Sequence, residues 1–167
     1  MENLNFKPWG ETDDWEAPIS TLEIPERGGQ PPRALIVDPD PALCRHVGLA
    51  LRSLGIHCDT FCQTGEALVA AREKTYAVAV VDVGLAQGFE TCRRLARGDT
   101  GRRIPVLAFA CNGSFLDRLK ARRHGCRHFV TKPAPLELFL RAMWRTATGG
   151  QPHREPGFTA QQLPSGA

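Results

Sequence analysis

The sequence predicts an α/β fold in which five parallel strands and five helices form one doubly wound sheet. Three observations predict it. Strand-like and helix-like segments alternate five times between residues 33 and 147. The third strand segment, residues 76–81, is apolar throughout, which is typical of a strand that is covered on both faces. Parallel strands also need long crossover connections, and the helical segments between the strands provide them.

The elements follow one another at short and regular intervals. The strand segments are 34–37, 56–62, 76–81, 104–109 and 127–130, and the helical segments are 41–54, 65–74, 89–96, 114–123 and 135–145. Pro41 is placed to open the first helix, and Gly55 to close it. Thr64 is expected to cap the second helix, because a hydroxyl at this place can accept a backbone hydrogen bond. The second strand segment is the least apolar, so we expect it to be the weakest.

Two extensions flank this body. Residues 1–32 are rich in proline and glycine, and they carry seven acidic and two basic residues, a net charge of −5. Because the whole chain carries +3, the remainder carries +8. An acidic arm therefore precedes a basic body, and Trp9 or Trp15 could dock the arm there as a competitor for partners; a disordered tail is the alternative. Residues 148–167 are predicted to be a flexible tail.

The composition is typical of a soluble globular protein, and the lack of a membrane or secretion signal leads us to expect a cytoplasmic one. No run of eighteen apolar residues occurs, and the N-terminus lacks the basic and apolar regions of a signal peptide, so no membrane partner is expected. The six cysteines contain no C-x-x-C pair and are interpreted as reduced, mostly buried side chains. His124, Cys126 and His128 have metal-ligand chemistry, but Gly125 interrupts the helix that they would share, so no metal site is expected there.

Charged side chains follow three of the predicted strands. Asp38 follows the first strand, Asp82 the third and Lys132 the fifth. Because ligands of open parallel sheets bind at the carboxyl ends of the strands, these three side chains should converge on one crevice. A carboxylate there can accept a phosphoryl group as a nucleophile, a second carboxylate can help to hold Mg²⁺, and a lysine can pair with phosphoryl oxygens.

Each of these residues also has a simpler interpretation. Asp38 precedes Pro39 and, taken alone, is typical of a turn or a helix cap. Lys132 precedes Pro133 and would also suit a surface loop. Asp82 ends an apolar strand, where a carboxylate is costly unless a partner or metal compensates its charge, so a functional role is favoured.

Five motifs in a fixed order make this chain resemble the receiver domain of bacterial response regulators. They are ALIVD at 34–38, VVD at 80–82, GFE at 88–90, PVL at 105–107 and FVTKP at 129–133, and the resemblance covers 33–147. It implies a CheY-like, flavodoxin-like fold with strand order 2-1-3-4-5. It also implies that Asp82 is the phosphoacceptor, that Lys132 is its cationic partner, and that Asp38, Asp82 and, as a weaker candidate, Asp40 hold Mg²⁺.

The family resemblance further implies partners. A histidine kinase or a phosphotransfer protein would supply the phosphoryl group, a downstream protein would receive the signal, and a homodimer is possible. We expect no enzymatic turnover. Because only 20 residues follow residue 147, no output domain is expected, and Trp144 is a candidate interface residue. Basic residues cluster around the third and fourth helices, but no nucleic-acid reader motif accompanies them, so nucleic-acid binding is not expected.

Several positions depart from the family pattern. Pro39 occupies the place of a second acid that usually binds Mg²⁺, and Ala110 occupies the place of a hydroxyl at the end of strand four. The loop from Asp82 to Gly88 is shortened, and the aromatic residue before the lysine, Phe129, has no phenolic hydroxyl. Two interpretations follow: a working receiver, or a degenerate pseudo-receiver that acts as a phosphorylation-independent module for protein binding or dimerisation.

Overall fold

The computed structural model describes Ile19, residues 23–26 and residues 28–149 of the chain. Five parallel strands form one sheet in the order β2-β1-β3-β4-β5, which confirms the predicted fold class and strand order. In chain order the elements are β1 (Arg33–Val37), α1 (Pro41–Ser53), β2 (His57–Phe61), α2 (Thr64–Glu73), β3 (Val78–Asp82), α3 (Gly88–Arg97), β4 (Val106–Ala110), α4 (Phe115–Arg123), β5 (Cys126–Thr131) and α5 (Leu136–Thr148).

Successive side chains of each strand enter opposite sides of the sheet, and this divides the core in two. In β1, Leu35 and Val37 pack with α2, α3 and α4, whereas Ala34 and Ile36 pack with α1 and α5. The central strands β3 and β4 are buried at every residue, because neighbouring strands and helices cover them on all sides. The edge strand β2 is exposed or half-buried throughout, in agreement with its weaker apolar character.

The boundaries of two elements differ from the predicted ones near Thr64 and Tyr76. Thr64 is the first residue of α2, and the residue before it, Gln63, keeps the extended backbone of a cap without a side-chain hydrogen bond. The predicted capping role of Thr64 is therefore wrong. Tyr76 lies outside β3 and is buried, with its hydroxyl donating to Asp59 over 2.7 Å. The apolar ring of Tyr76 made it resemble a strand residue, whereas its hydroxyl joins it to Asp59 of the edge strand β2.

Helix α5 continues three residues beyond its predicted end. The hydroxyls of Thr146 and Thr148 donate to the carbonyls of Ala142 and Trp144, each four residues earlier, over 2.7 and 2.9 Å. These hydrogen bonds keep the threonine side chains within the helix, although threonine is a poor helix former. Gly149 then ends the helix in the left-handed conformation, at a φ of 76°.

Part of the predicted N-terminal extension packs on the domain. The side chain of Ile24 is buried among residues of α1 and α5, and Ile19 packs against the same cluster. The indole Nε1 of Trp144 donates to the carbonyl of Glu23 over 3.0 Å. Trp144 is only 6% exposed beneath this segment, so it is a core residue and not the exposed interface residue that the sequence suggested. We call Ile19 and residues 23–26 the strap; Trp9 and Trp15 lie outside the described residues.

Shortening the anchor of the strap should weaken the domain. We expect Ile24→Ala to lower the free energy of unfolding by about 1.5 kcal/mol, because it removes buried methylene groups from the α1–α5 core. The matched control is Val69→Ala, since Val69 is 53% exposed on α2 and should change stability by less than about 0.5 kcal/mol. Urea unfolding of the full chain measures both values, and equal effects would show that the strap does not contribute to stability.

Candidate functional site

Asp38, Asp82 and Lys132 meet at the carboxyl edge of the sheet. The Lys132 ammonium donates to Asp38 Oδ2 over 2.5 Å and to Asp82 Oδ2 over 2.8 Å. Asp38 directly follows β1, Asp82 ends β3, and Lys132 directly follows β5. Both carboxylates are buried, and the lysine is half-buried. The structure therefore brings together the three residues that were expected to converge because each of them follows a predicted strand.

The lysine is the cation that makes this arrangement stable. Burial by itself would lower the pKa of Lys132, but the hydrogen bonds and charges of Asp38 and Asp82 outweigh it and raise the pKa above its usual value. Lys132 therefore stays charged at neutral pH. Its ammonium also lies 4.9 Å from the centroid of the Phe109 ring, a further favourable contact for a cation.

The carboxylate of Asp40 has a structural partner. Its Oδ1 accepts hydrogen bonds from the backbone amides of Ala42 and Leu43, at 2.9 and 3.4 Å, so Asp40 is the N-cap of α1. Its own amide donates to Asp38 Oδ1 over 2.9 Å. Pro41 at the first turn favours this geometry, since the ring suits the start of a helix. Asp40 thus positions Asp38 through its backbone, while its side chain is turned to the helix.

The backbone of the loop after Asp82 contributes to the site. The amide of Gly84 donates to Asp82 Oδ1 over 2.7 Å, so both oxygens of Asp82 accept a hydrogen bond. A side chain at Gly88 would place its Cβ 2.7 Å from the carbonyl oxygen of Asp82 and 2.8 Å from the Cα of Val83. Only glycine permits α3 to begin so close to the end of β3, which is what the shortened loop requires. Gly84 was not among the predicted site residues, although a glycine two residues after an acidic residue is a signal for such a turn.

The positions that were expected to depart from the family pattern lie near the ends of β1, β4 and β5. Pro39 is exposed and lies between Asp38 and the capping residue Asp40. Ala110 is buried at the end of β4 and pairs in register with Thr131 of β5. The ring of Phe129 is also buried, in the core that contains α3 and α4. In the part of the chain described, the hydroxyl closest in register to Ala110 therefore belongs to Thr131, on the neighbouring strand.

The histidines and the cysteine considered as metal ligands have other partners. His124 Nδ1 lies 2.8 Å from the carbonyl oxygen of Lys120, and His128 Nδ1 lies 2.9 Å from Thr146 Oγ1. Cys126 is buried beside Cys92 in the core. Among the described residues, no group of three histidine, cysteine or acidic side chains is arranged to hold a metal ion.

His128 should make the stability of the domain depend on pH. Burial lowers its pKa, and the positive charges of Arg145 and Arg127 lower it further, so the folded state favours the neutral ring. The unfolded state then binds the proton more readily, and stability that is complete above about pH 6.5 is lost as the pH falls below it. We expect His128→Gln to reduce this loss between pH 7.5 and 5.5 in urea unfolding. An undiminished loss of stability in this variant would contradict the role of His128.

Comparison with known proteins decides the family. The family model for the response regulator receiver domain matches residues 34–143. This chain belongs to the response regulator receiver family. The transcriptional regulatory protein TcrA of Mycobacterium tuberculosis is 33% identical to it over 136 residues, which are 78% of this chain and 52% of TcrA. This receiver chain spans about half the length of the curated relatives that it matches.

Solved receiver domains share the fold. The chemotaxis protein CheY4 of Vibrio cholerae is 22% identical, with a TM-score of 0.65, over 70% of this chain and 99% of CheY4. The receiver domain of the sensor histidine kinase PA1611 from Pseudomonas aeruginosa is 23% identical, with a TM-score of 0.62, over 71% of this chain and 98% of that domain, and its cleft coordinates a magnesium ion. Within the described residues of the present receiver, no helix is long and apolar enough to cross a membrane.

Removing the ammonium should leave two buried carboxylates without a counterion. We expect Lys132→Met to lower the free energy of unfolding by about 3 kcal/mol at neutral pH, because breaking a buried ion pair leaves uncompensated charge. Adding Asp38→Asn to this variant should restore part of the loss, since it removes one of the two charges. Lys74→Met is the control: Lys74 pairs with Asp59 at the surface, so its loss should cost less than about 1 kcal/mol. An equal loss of unfolding free energy in Lys132→Met and Lys74→Met would contradict the role of Lys132 as the counterion of the two buried carboxylates.

Proposed function

We propose that this receiver accepts a phosphoryl group on Asp82 and acts through contacts with other proteins in two-component signalling. The observation that carries the proposal is the convergence of Lys132 on both Asp38 and Asp82 at the carboxyl edge of the sheet. A half-buried lysine between a nucleophilic carboxylate and a second carboxylate suits phosphoryl transfer. A histidine kinase or a phosphotransfer protein is the proposed donor, and this role implies a cytoplasmic protein.

The proposed step is a displacement at phosphorus. A carboxylate oxygen of Asp82 attacks the phosphorus atom of the donor, and a new O–P bond forms. The bond between phosphorus and the donor breaks, and the donor leaves with that electron pair. In the product, the Lys132 ammonium pairs with the phosphoryl oxygens, while the Gly84 amide retains its position beside the carboxyl group of Asp82.

The carboxylate pair suits a divalent cation. Receiver domains typically bind Mg²⁺, which takes one or two protein carboxylates together with phosphate oxygens and water. Lys132 contacts both Asp38 and Asp82, so these carboxylates are close enough to share a cation. We propose that Asp38 and Asp82 hold Mg²⁺, which would compensate phosphoryl charge. Asp40 is a weaker candidate because its Oδ1 caps α1, and Pro39 supplies no carboxylate.

A second candidate is the phosphorylation-independent module for protein binding. Both oxygens of Asp82 already accept hydrogen bonds, from Lys132 and Gly84, so the carboxylate is compensated in the resting protein. Ala110 has no hydroxyl with which to bind a phosphoryl group. These observations favour a module whose binding surface is fixed, with Lys132 acting as a structural counterion.

Nucleic-acid binding is not part of the proposal. Some of the arginines and lysines of α3 and α4 have partners within the domain: Arg93 donates to Glu90, and Lys120 lies 4.4 Å from the centroid of the Phe89 ring. These contacts are typical of a solvated protein surface.

Phosphorylation by a small donor tests the proposal. We expect the purified chain, incubated with acetyl phosphate and Mg²⁺, to gain the mass of one phosphoryl group, and acetate to be released. Asp82→Asn should prevent the gain, whereas Asp117→Asn, at a half-buried residue in the first turn of α4, should not. Absence of the adduct both with acetyl phosphate and with a histidine kinase would favour the phosphorylation-independent module.

Restoring the second acid should increase the contribution of Mg²⁺. We expect Pro39→Asp to raise the Mg²⁺-dependent rate of adduct formation several-fold, because it adds a carboxylate next to Asp38. The matched control is Pro39→Ala, which removes the ring without adding charge and should leave the rate nearly unchanged. The rates come from intact mass at a series of Mg²⁺ concentrations; a rate that rises equally in both variants would assign the effect to the backbone.

A further inference from the structure

The loop between β4 and α4 is fastened to β5 by one arginine and one threonine. From α4, the guanidinium of Arg118 donates to Thr131 Oγ1 over 3.1 Å and to the carbonyl of Gly113 over 3.3 Å. The guanidinium carbon also lies 4.9 Å from the centroid of the Phe129 ring. One side chain of α4 thus contacts both the loop that precedes its helix and two residues of β5.

Gly113 brings the loop backbone directly against the threonine. A Cβ at this position would lie 2.2 Å from Thr131 Oγ1, so a larger residue would displace either the loop or the hydroxyl. The position of the β4–α4 loop is therefore set by Thr131 as well as by Arg118. Because packed groups of this kind occupy discrete arrangements, a displacement of Thr131 cannot leave the loop unchanged.

Thr131 is also connected directly to the charged site. It is covalently joined to Lys132, whose amide donates to the carbonyl of Ala110 over 2.7 Å. The side chain of Lys132 in turn contacts Asp38 and Asp82. A change of charge on Asp82 therefore alters the balance of forces on the residue next to Thr131.

We infer that Thr131 and Arg118 transmit the state of Asp82 to the beginning of α4, in place of the hydroxyl that Ala110 lacks. This inference rests on the proposed function. When a phosphoryl group adds negative charge beyond Asp82, Lys132 is drawn towards it, and the end of β5 moves with it. Thr131 and Arg118 then reposition the loop. Both are positioning residues, since neither contacts the reacting atoms.

The affected surface is suited to binding a protein. Phe115 and Leu116 begin α4 and are 68% and 71% exposed, and Leu119, one turn further on, is 37% exposed. Exposed apolar side chains in a cluster mark interaction sites. Movement of the β4–α4 loop changes how these side chains are presented, which couples Asp82 to protein contacts without a hydroxyl on β4.

Hydrogen exchange in the full chain tests the inference without phosphorylation. Asp82→Asn removes one of the two anions that hold Lys132, and we expect it to change the exchange rates of amides 113–119 several-fold. The same change made in Thr131→Val or Arg118→Met should alter these rates less than twofold, and Thr131→Ser should restore the native response. Arg123→Met, an exposed arginine on the same helix, is the control and should retain the full response. Amides of β3 report any general loss of stability.

The outcomes separate this inference from the proposed function. A response to Asp82→Asn that is equally large in Thr131→Val would overturn the inference, even if acetyl phosphate produces an adduct. A response that needs Thr131 and Arg118, in a protein that forms no adduct, would support the coupling and overturn phosphorylation as its physiological trigger. If adducts form, Thr131→Val should form them at the native rate but should lose the accompanying change in exchange at 113–119; loss of the adduct instead would place Thr131 in the chemistry.

Discussion

Two carboxylates lie buried at one edge of the sheet, and the ammonium of Lys132 lies between them. Placing two like charges in a poorly solvated region is unfavourable unless a cation offsets them, so the positions of Asp38, Asp82 and Lys132 depend on one another. The carboxyl ends of β1, β3 and β5 lie at the same end of the sheet, and this brings into contact three residues that are far apart in the sequence. The same ionic cluster is consequently a structural joint of the sheet and the candidate site of phosphoryl chemistry.

The sequence was sufficient for the architecture because the segment 76–81 is apolar throughout and because strand-like and helix-like segments alternate strictly. The predictions from the sequence were wrong at residues whose side chains suit two different local structures. Thr64 can cap a helix or begin one, and Thr148 was predicted to lie in the flexible tail although its hydroxyl bonds within α5. The aromatic ring of Tyr76 likewise resembles a strand residue, although its hydroxyl determines where it lies.

The sequence predicted those residues of the site that lie at the carboxyl ends of strands. Asp38, Asp82 and Lys132 each follow an apolar segment, and parallel topology then requires them to meet. Asp40 was harder, because its spacing suits either a ligand or a cap, and Pro41 favours the cap. The contact between Arg118 and Thr131 joins a helix to a strand across residues that carry no shared pattern, so only the folded structure shows it. The burial of Trp144 beneath the strap was likewise not predictable, because it depends on a contact with Glu23, which is far away in the sequence.

Pro39, Ala110 and Gly88 define the surroundings of the three charged side chains. Pro39 supplies no carboxylate and Ala110 no hydroxyl, and the Lys132 ammonium compensates the charges of Asp38 and Asp82. Gly88 and the short loop hold the beginning of α3 close to Asp82. The charged site is thus organised around Lys132.

The strap has a consequence for the apolar cluster that α1 and α5 form with the sheet. Because residues 23–26 are covalently attached to β1 through a short turn at Gly28 and Gly29, this cluster experiences the strap at a high effective concentration. A tethered segment of this kind returns to its place more readily than a free peptide of the same sequence would bind there. A fragment that begins at β1 would lack Ile24 and would expose the apolar surface that this side chain covers.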